Sequence, residues 1–441
     1  MNPTHHLASD PDRAAPGDTQ GANAFQILVL VAVSLGFALE GMAAQAFGLA
    51  VPALSRAWRL PHQAFADVTA LGLVGFAAGA ALAGYLGDRF GRKTLLVLSV
   101  ALFGAATLGT AACHDTAQLG WVRLATGLGL GGSIPVAAAL MSEFSPARWR
   151  RLAIALGFMC LPLGGFVSGL LAARLLPTSG WPSLFVACGV VALVLDLGLL
   201  LIIPESPSYL ALRPQRGPQL QRILARLGRS TPPEGRLAAA EASPTHWLQL
   251  FAARTRGPTL ALLGAYFALL LGMYLIFSWG PSVLGRLGFS LAQGSEALSA
   301  FALGGVFAGP LSGWIAQRFG PKAGVVVLGL MAGATAGLLA WVAAGRPHGF
   351  ASLAAGFLVL GVCVSGVQTA LYALAAEIYP PGIRSSGVGA AVAAGRVGAV
   401  LSSYLGVLGL GVGGAPAFFG LVGAGVLLSV LATLLVRPAR G

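Results

Sequence analysis

Gly84-Tyr85-Leu86-Gly87-Asp88-Arg89-Phe90-Gly91-Arg92-Lys93 returns as Gly313-Trp314-Ile315-Ala316-Gln317-Arg318-Phe319-Gly320-Pro321-Lys322, 229 residues further along the chain. A second pair keeps nearly the same offset: Glu143-x-x-Pro146-x-x-x-Arg150 matches Glu377-x-x-Pro380-x-x-x-Arg384 after 234 residues. Ordered charges are shared as well as glycines, so glycine-rich composition does not account for the match, and the chain reads as a duplication. Each ten-residue stretch lies between two long apolar runs, which is where a short charged turn would join two membrane-spanning helices.

The chain has 441 residues, of which 56% are hydrophobic and only 9% charged, and its mean hydropathy is +0.81. Such a composition cannot be wrapped into a water-soluble globule. A helix needs about 20 apolar residues to cross a bilayer, and twelve such runs begin near residues 25, 62, 94, 117, 151, 183, 258, 294, 322, 351, 386 and 415. The predicted fold is an all-α membrane protein, with twelve transmembrane helices in two pseudo-symmetric six-helix bundles, residues 25–203 and 258–437. Residues 204–257 form a Pro-, Arg- and Gln-rich linker with an amphipathic piece around Leu220 to Leu227. The polar stretch 1–24 reads as a disordered tail, and 438–441 as a short second one.

The linker carries eight arginines, which places it in the cytoplasm by the positive-inside tendency, and both termini with it. On that topology 20 of the 27 Lys and Arg fall on the cytoplasmic side, 5 on the outer side and 2 inside spans. The same distribution explains the net charge of +13 as orientation and attraction to anionic lipid rather than nucleic-acid binding. No positively charged start with a cleavage site opens the chain, and the predicted location is a bacterial cytoplasmic membrane. The four cysteines sit in or at the ends of apolar runs without metal spacing, and the six histidines fall in the tail, loops or span ends. Neither a metal site nor a catalytic triad is visible, so an enzyme is not expected.

An ionisable side chain inside a bilayer costs about 3 kcal/mol or more and so needs a partner, water or a task. Glu40 lies about 15 residues into the first span, about 22 Å of helical rise, beside Gly41 and Gln45. It is the first candidate for a proton-binding carboxylate, the alternative being a static ion pair with Arg123. Asp196 in the sixth span has no obvious partner in the sequence and is open to three readings: a second proton site, a pore-facing polar residue or a protonated passenger. Arg123, followed by Gly127, Gly129, Gly131 and Gly132, and Arg396, within Gly395-Arg396-Val397-Gly398, are the two arginines well inside spans. A buried guanidinium fits a carboxylate bidentately, so both are candidates for holding an organic anion. Ser365, Gln368 and Tyr372 share one face of the tenth span, and Phe267, Tyr274 and Phe277 one face of the seventh. A cavity between those faces is flat-walled and suits a substituted aromatic ring.

The segment Gly84 to Lys93 resembles the signature loop of the major facilitator superfamily. The Arg123 run, Pro204-Glu205-Ser206-Pro207 and the Glu143 and Glu377 motifs fit it too. More narrowly, Glu40-Gly41-Met42-Ala43, Tyr274 to Trp279, and Leu371-Tyr372-Ala373-Leu374 through Ile383-Arg384 to Gly395-Arg396-Val397-Gly398 look like the aromatic acid:proton symporters, especially the hydroxyphenylpropionate branch. Those symporters show an acid-Gly-x-Asp motif in the first span, and here Ala43 stands at its second acidic position.

The resemblance implies alternating access around a central site, with import of a small aromatic carboxylate and protons. The proton gradient would drive it without a cofactor, and the protein would be a monomer needing no protein partner. It makes Gly84, Asp88, Gly91, Arg92, Glu143, Glu377 and Arg384 a conformational latch. Asp88 is expected to meet the positive N-terminal end of the eleventh span while staying close to Arg92. Gln317 replaces that aspartate in the second copy, so the halves are expected to close unequally. Uptake or export of another organic anion or of a sugar-like metabolite, and a ligand sensor without flux, are the alternatives.

Overall fold

The computed structural model describes residues 23–228, 250–252, 255–345, 349–379 and 384–436. The tail 1–22, most of the second half of the linker and residues 437–441 lie outside the described residues. Among the described residues, twelve helices are long and apolar enough to cross a membrane. The first six are Ala24–Trp58, Ala66–Phe90, Arg92–Thr110, Thr116–Phe144, Arg150–Ser179 and Trp181–Ile202. The second six are Arg256–Arg286, Leu291–Phe319, Pro321–Ala344, Phe350–Ile378, Arg384–Val412 and Gly414–Leu435. They are called the first to twelfth spans below. The amphipathic piece of the linker is a helix, Gly217–Leu227, docked by Ile223, Leu224 and Leu227.

Glycine decides how the spans pack, because two helices approach to backbone contact only where no side chain intervenes. A Cβ on Gly75 or Gly79 of the second span would collide with the Leu124 or Leu128 carbonyl of the fourth. One on Gly41 of the first span would strike Leu161 of the fifth, and one on Gly361 of the tenth would strike Phe301 of the eighth. The arrangement repeats in each half, as the duplication requires: second with fourth and first with fifth, eighth with tenth and seventh with eleventh.

Across the halves the second span meets the eleventh, the fifth meets the eighth and the first meets the seventh. These contacts concentrate at the end of the bundle away from the Gly84–Lys93 turn. There Tyr404 Oη donates to Asp67 Oδ1 at 3.1 Å, Ser299 Oγ donates to the Phe166 carbonyl at 3.4 Å, and a Cβ on Gly48 would collide with the Phe277 carbonyl. Toward the turn end, a Cβ on Gly84 of the second span or Gly389 of the eleventh would meet nothing within 4 Å. The molecule is therefore shut at the far end and open, as a cleft between its halves, at the turn end.

Candidate functional site: a central cleft and a latch at its mouth

At the mouth of the cleft the first copy of the repeated turn is tied down by charge. Gly91, at φ +105°, adopts a backbone that L side chains avoid, and a Cβ there would collide with the Glu205 carboxylate. Glu205 Oε1 accepts from the Lys93 amide at 3.0 Å and from the Ser206 amide at 2.9 Å. Arg92 is paired with Glu143 and lies 3.6 Å from Asp88. Glu143 in turn accepts from Ser206 Oγ and the Ser208 amide. Arg213 donates to the Arg89 carbonyl at 2.9 Å, satisfying the end of the second span. Asp88, Gly91, Arg92 and Glu143, four of the expected latch residues of the first half, thus form one network, drawn together by the stretch Pro204 to Ser208.

Asp88 is the loose member, its side chain 72% exposed. Its ion pair among the described residues is with Arg92. The side chain of Arg384, the first residue of the eleventh span that Asp88 is expected to meet, lies outside the described atoms. Gly84 has open space around it. In the second copy Gln317 and Glu377 are exposed, and Lys322 donates to the Leu434 and Val436 carbonyls at 3.1 and 2.8 Å instead of joining a carboxylate network.

Deeper in the cleft, Glu40 is 2% exposed and accepts from Ser133 Oγ at 2.8 Å. The Glu40–Arg123 ion pair is not formed. Arg123, 7% exposed, lays its guanidinium 4.8 Å from the centre of the Phe47 ring, and its Nε and Nη1 have no hydrogen-bond partner. Phe47 stands two helical turns beyond Glu40, roughly 10 Å of rise, which explains why the two charges do not meet. Arg396 lies within electrostatic range of Glu40.

Arg396 Nη1 donates to Tyr274 Oη at 2.7 Å, and the guanidinium lies 3.9 Å over the ring of Phe76. Gln368 stands one helical turn from Tyr372 on the same face, and Tyr372 is within electrostatic range of Arg396 and Tyr274. Tyr372, in the last third of its span, is 41% exposed and packs edge-on to Tyr266 at 5.5 Å. Tyr274, Phe277 and Phe301 continue as edge-to-face pairs at 5.8 and 5.3 Å. The structure thus joins Glu40, Arg396, Tyr274, Gln368 and Tyr372 in one region and leaves Arg123 two turns further toward the closed end.

Asp196 belongs to neither group. It is 6% exposed, on the face of the sixth span that carries Cys188, Ala192 and Leu199, and its Oδ1 has no hydrogen-bond partner. That face packs on the third span, where a Cβ on Gly104 would stand 3.2 Å from Ala192, so Asp196 sits inside the N-terminal half. Ser133 and Phe76 were not legible as site residues. Each is a lone side chain in a glycine-rich apolar run, and only the position of those runs in space gives it a role.

The profile of the family described as "Sugar (and other) transporter" matches residues 56–438. The chain is 35% identical over 433 residues to the gallate transporter of Pseudomonas putida, covering 96% of this chain and 94% of that one. It is 33% identical over 405 residues to the 4-hydroxybenzoate transporter PcaK of Pseudomonas aeruginosa, covering 90% and 89%. It is also 33% identical over 410 residues to the 3-(3-hydroxy-phenyl)propionate transporter of Escherichia coli, covering 91% and 92%. The fold is similar to that of the inward-open xylose transporter XylE from E. coli, with a TM-score of 0.73, 20% identity, and coverage of 94% of this chain and 97% of that one. The repeated turn, the two six-helix halves and these matches agree: the chain belongs to the sugar (and other) transporter family of the major facilitator superfamily, and is a transporter rather than an enzyme.

Proposed function

We propose that this transporter carries small aromatic carboxylates of the hydroxybenzoate or hydroxyphenylpropionate type into the cell together with protons. The observation that carries the reading is Arg396, a guanidinium in mid-membrane bonded to Tyr274 and flanked by Tyr372 and Gln368, with the buried carboxylate Glu40 in electrostatic reach. The arginine supplies the match for a carboxylate, and the tyrosines supply flat apolar walls with hydroxyl groups for a ring and its substituents. The names of the relatives support the same substrate class. Arg123 offers a second guanidinium on the closed side, which substrate would reach when the far end opens.

In this reading Glu40 is the proton carrier and Asp196 a further protonation site. A charged carboxylate costs least when a cation or donor faces it, so its proton is exchanged as Arg396 alternates between Glu40 and substrate. The halves 25–203 and 258–437 rock about the linker 204–257, and the Asp88 latch holds the turn end closed in the outward-open state. The membrane is the cytoplasmic one. The turn end and both termini face the cytoplasm, and the protein works as a monomer with no cofactor.

Counterflow of labelled 4-hydroxybenzoate into proteoliposomes, competed by gallate, 3-hydroxyphenylpropionate, xylose and succinate, tests the substrate class, with inhibition by the aromatic acids alone expected. A pH gradient, acid outside, should drive accumulation, and substrate addition should acidify the lumen. Inhibition by xylose or succinate alone, or accumulation indifferent to the gradient, would overturn the reading.

A further inference from the structure

We propose that Phe76, a residue of the N-terminal half, positions Arg396 of the C-terminal half and so shapes the seat for the substrate's carboxylate. The inference rests on the functional reading above. A guanidinium 3.9 Å over a ring engages it through its face and keeps its N–H groups, which lie in its plane, for polar partners. Nη1 is taken by Tyr274, whereas Nε is buried without a partner. Adjacent donors on one edge of a guanidinium match the two oxygens of a carboxylate. The edge left for substrate is the one formed by Nε and Nη2, and Phe76 sets the plane in which that edge points.

Packing fixes both sides of the stack. A Cβ on Gly127 would stand 2.8 Å from the Phe76 amide, and one on Gly131 would collide with the Phe76 carbonyl, so the second span is pressed onto the fourth at that residue. A Cβ on Gly395 would stand 3.2 Å from the Tyr266 carbonyl, and one on Gly398 would collide with the Phe267 carbonyl, so the eleventh span is pressed onto the seventh around Arg396. Phe76 itself is 7% exposed. Ring and guanidinium belong to different halves, so rocking separates them. The carboxylate seat is therefore set by the relation between the halves, and losing the ring weakens both the seat and the state open at the turn end.

The test uses the full-length protein in lipid nanodiscs, with 4-hydroxybenzoate and its uncharged analogue 4-hydroxybenzamide as probes. Phe76→Leu should weaken binding of the acid about tenfold, the size of a partly desolvated cation–π contact, and that of the amide less than twofold. Phe76→Tyr, which keeps a ring face, should restore the acid to near the parent value. Equal losses for acid and amide, or a Tyr variant as weak as the Leu variant, would overturn the proposal.

Hydrogen exchange without ligand gives an independent reading. Phe76→Leu should slow exchange in residues 80–90 and quicken it in residues 55–65, and Phe76→Tyr should do neither. Unchanged exchange in the Leu variant would overturn the proposal by itself. A parent protein that binds neither probe would instead bring down the functional reading, leaving the exchange result to decide the stack.

Discussion

Ser133 on the fourth span donates its hydroxyl to Glu40 Oε2 at 2.8 Å, while Arg123, ten residues earlier on the same span, turns to the ring of Phe47. The central carboxylate is thus held by a neutral donor in the cleft-open state. A neutral partner tolerates either protonation state of Glu40, because a hydroxyl can donate to a carboxylate or accept from a carboxylic acid.

Glu40→Gln imitates the protonated form and keeps an oxygen for Ser133. It should abolish accumulation driven by a pH gradient while sparing exchange of labelled for unlabelled substrate, since exchange needs no net proton movement. Ser133→Ala should reduce coupled uptake roughly fivefold, in line with about 1 kcal/mol for a buried hydrogen bond, and Ser133→Thr should largely rescue it. Uphill accumulation by Glu40→Gln at the parent's rate and pH dependence would move the proton to another group, with Asp196→Asn the next variant to measure.

Arg396→Lys keeps the charge but loses the planar fork. Binding of 4-hydroxybenzoate should fall tenfold or more, consistent with roughly 1.5–3 kcal/mol for a charged hydrogen-bonded pair, and binding of the amide should change little. Arg123→Lys should show a smaller loss in this state and a larger effect on uptake rate, because its guanidinium lies two turns toward the closed end. A ranking in which Arg123→Lys loses more equilibrium affinity than Arg396→Lys would contradict the arrangement in the cleft.

Asp88→Asn should slow transport several-fold with near-normal amounts of protein in the membrane. The Arg92–Glu143 pair and the Glu205 contacts remain to fold the turn, so the loss falls on the closing step. Binding of 4-hydroxybenzoate should survive, because the cleft residues are distant. Initial uptake rates together with membrane protein levels measure this, and a parent-like rate would remove Asp88 from the latch.

Tyr404→Phe removes the hydrogen bond to Asp67 that joins the halves at the far end. An exposed bond of this kind contributes about 0.5–1.5 kcal/mol, enough to shift the balance between the two open states a few-fold without unfolding. Hydrogen exchange in residues 62–70 should quicken, and Asp67→Asn should behave similarly but more weakly because its amide oxygen still accepts. If exchange there is unaltered in Tyr404→Phe, the bond does not help close that end.

Much of the fold was written in periodic features. The repeat from Gly84 to Lys93 and from Gly313 to Lys322 gave the two halves, and the apolar runs gave the spans to within a few residues of their observed starts. Arg396, Tyr274, Gln368 and Tyr372 were legible because polar groups in lipid are expensive enough to be conspicuous. The Glu40–Arg123 alternative failed for a reason sequence does not show: depth along two antiparallel helices depends on where glycines let them touch. Phe76 and Ser133 were invisible on the same grounds, since an apolar ring or a single hydroxyl in an apolar helix carries no signal until its neighbour is known.

The charge network at the mouth sets how much change each copy of the turn tolerates. Glu205, Ser206 and Arg213, which complete it, belong to the connector between the halves and not to the spans that repeat, so copying one half alone could not have produced it. The second copy has no such connector beside it, so placing an aspartate at Gln317 would add a stray charge rather than rebuild a matching lock. The turn Gly313 to Lys322, tied by Lys322 to the Leu434 and Val436 carbonyls, should tolerate more change than its first copy, where Gly91, Arg92 and Lys93 are matched to Glu143 and Glu205.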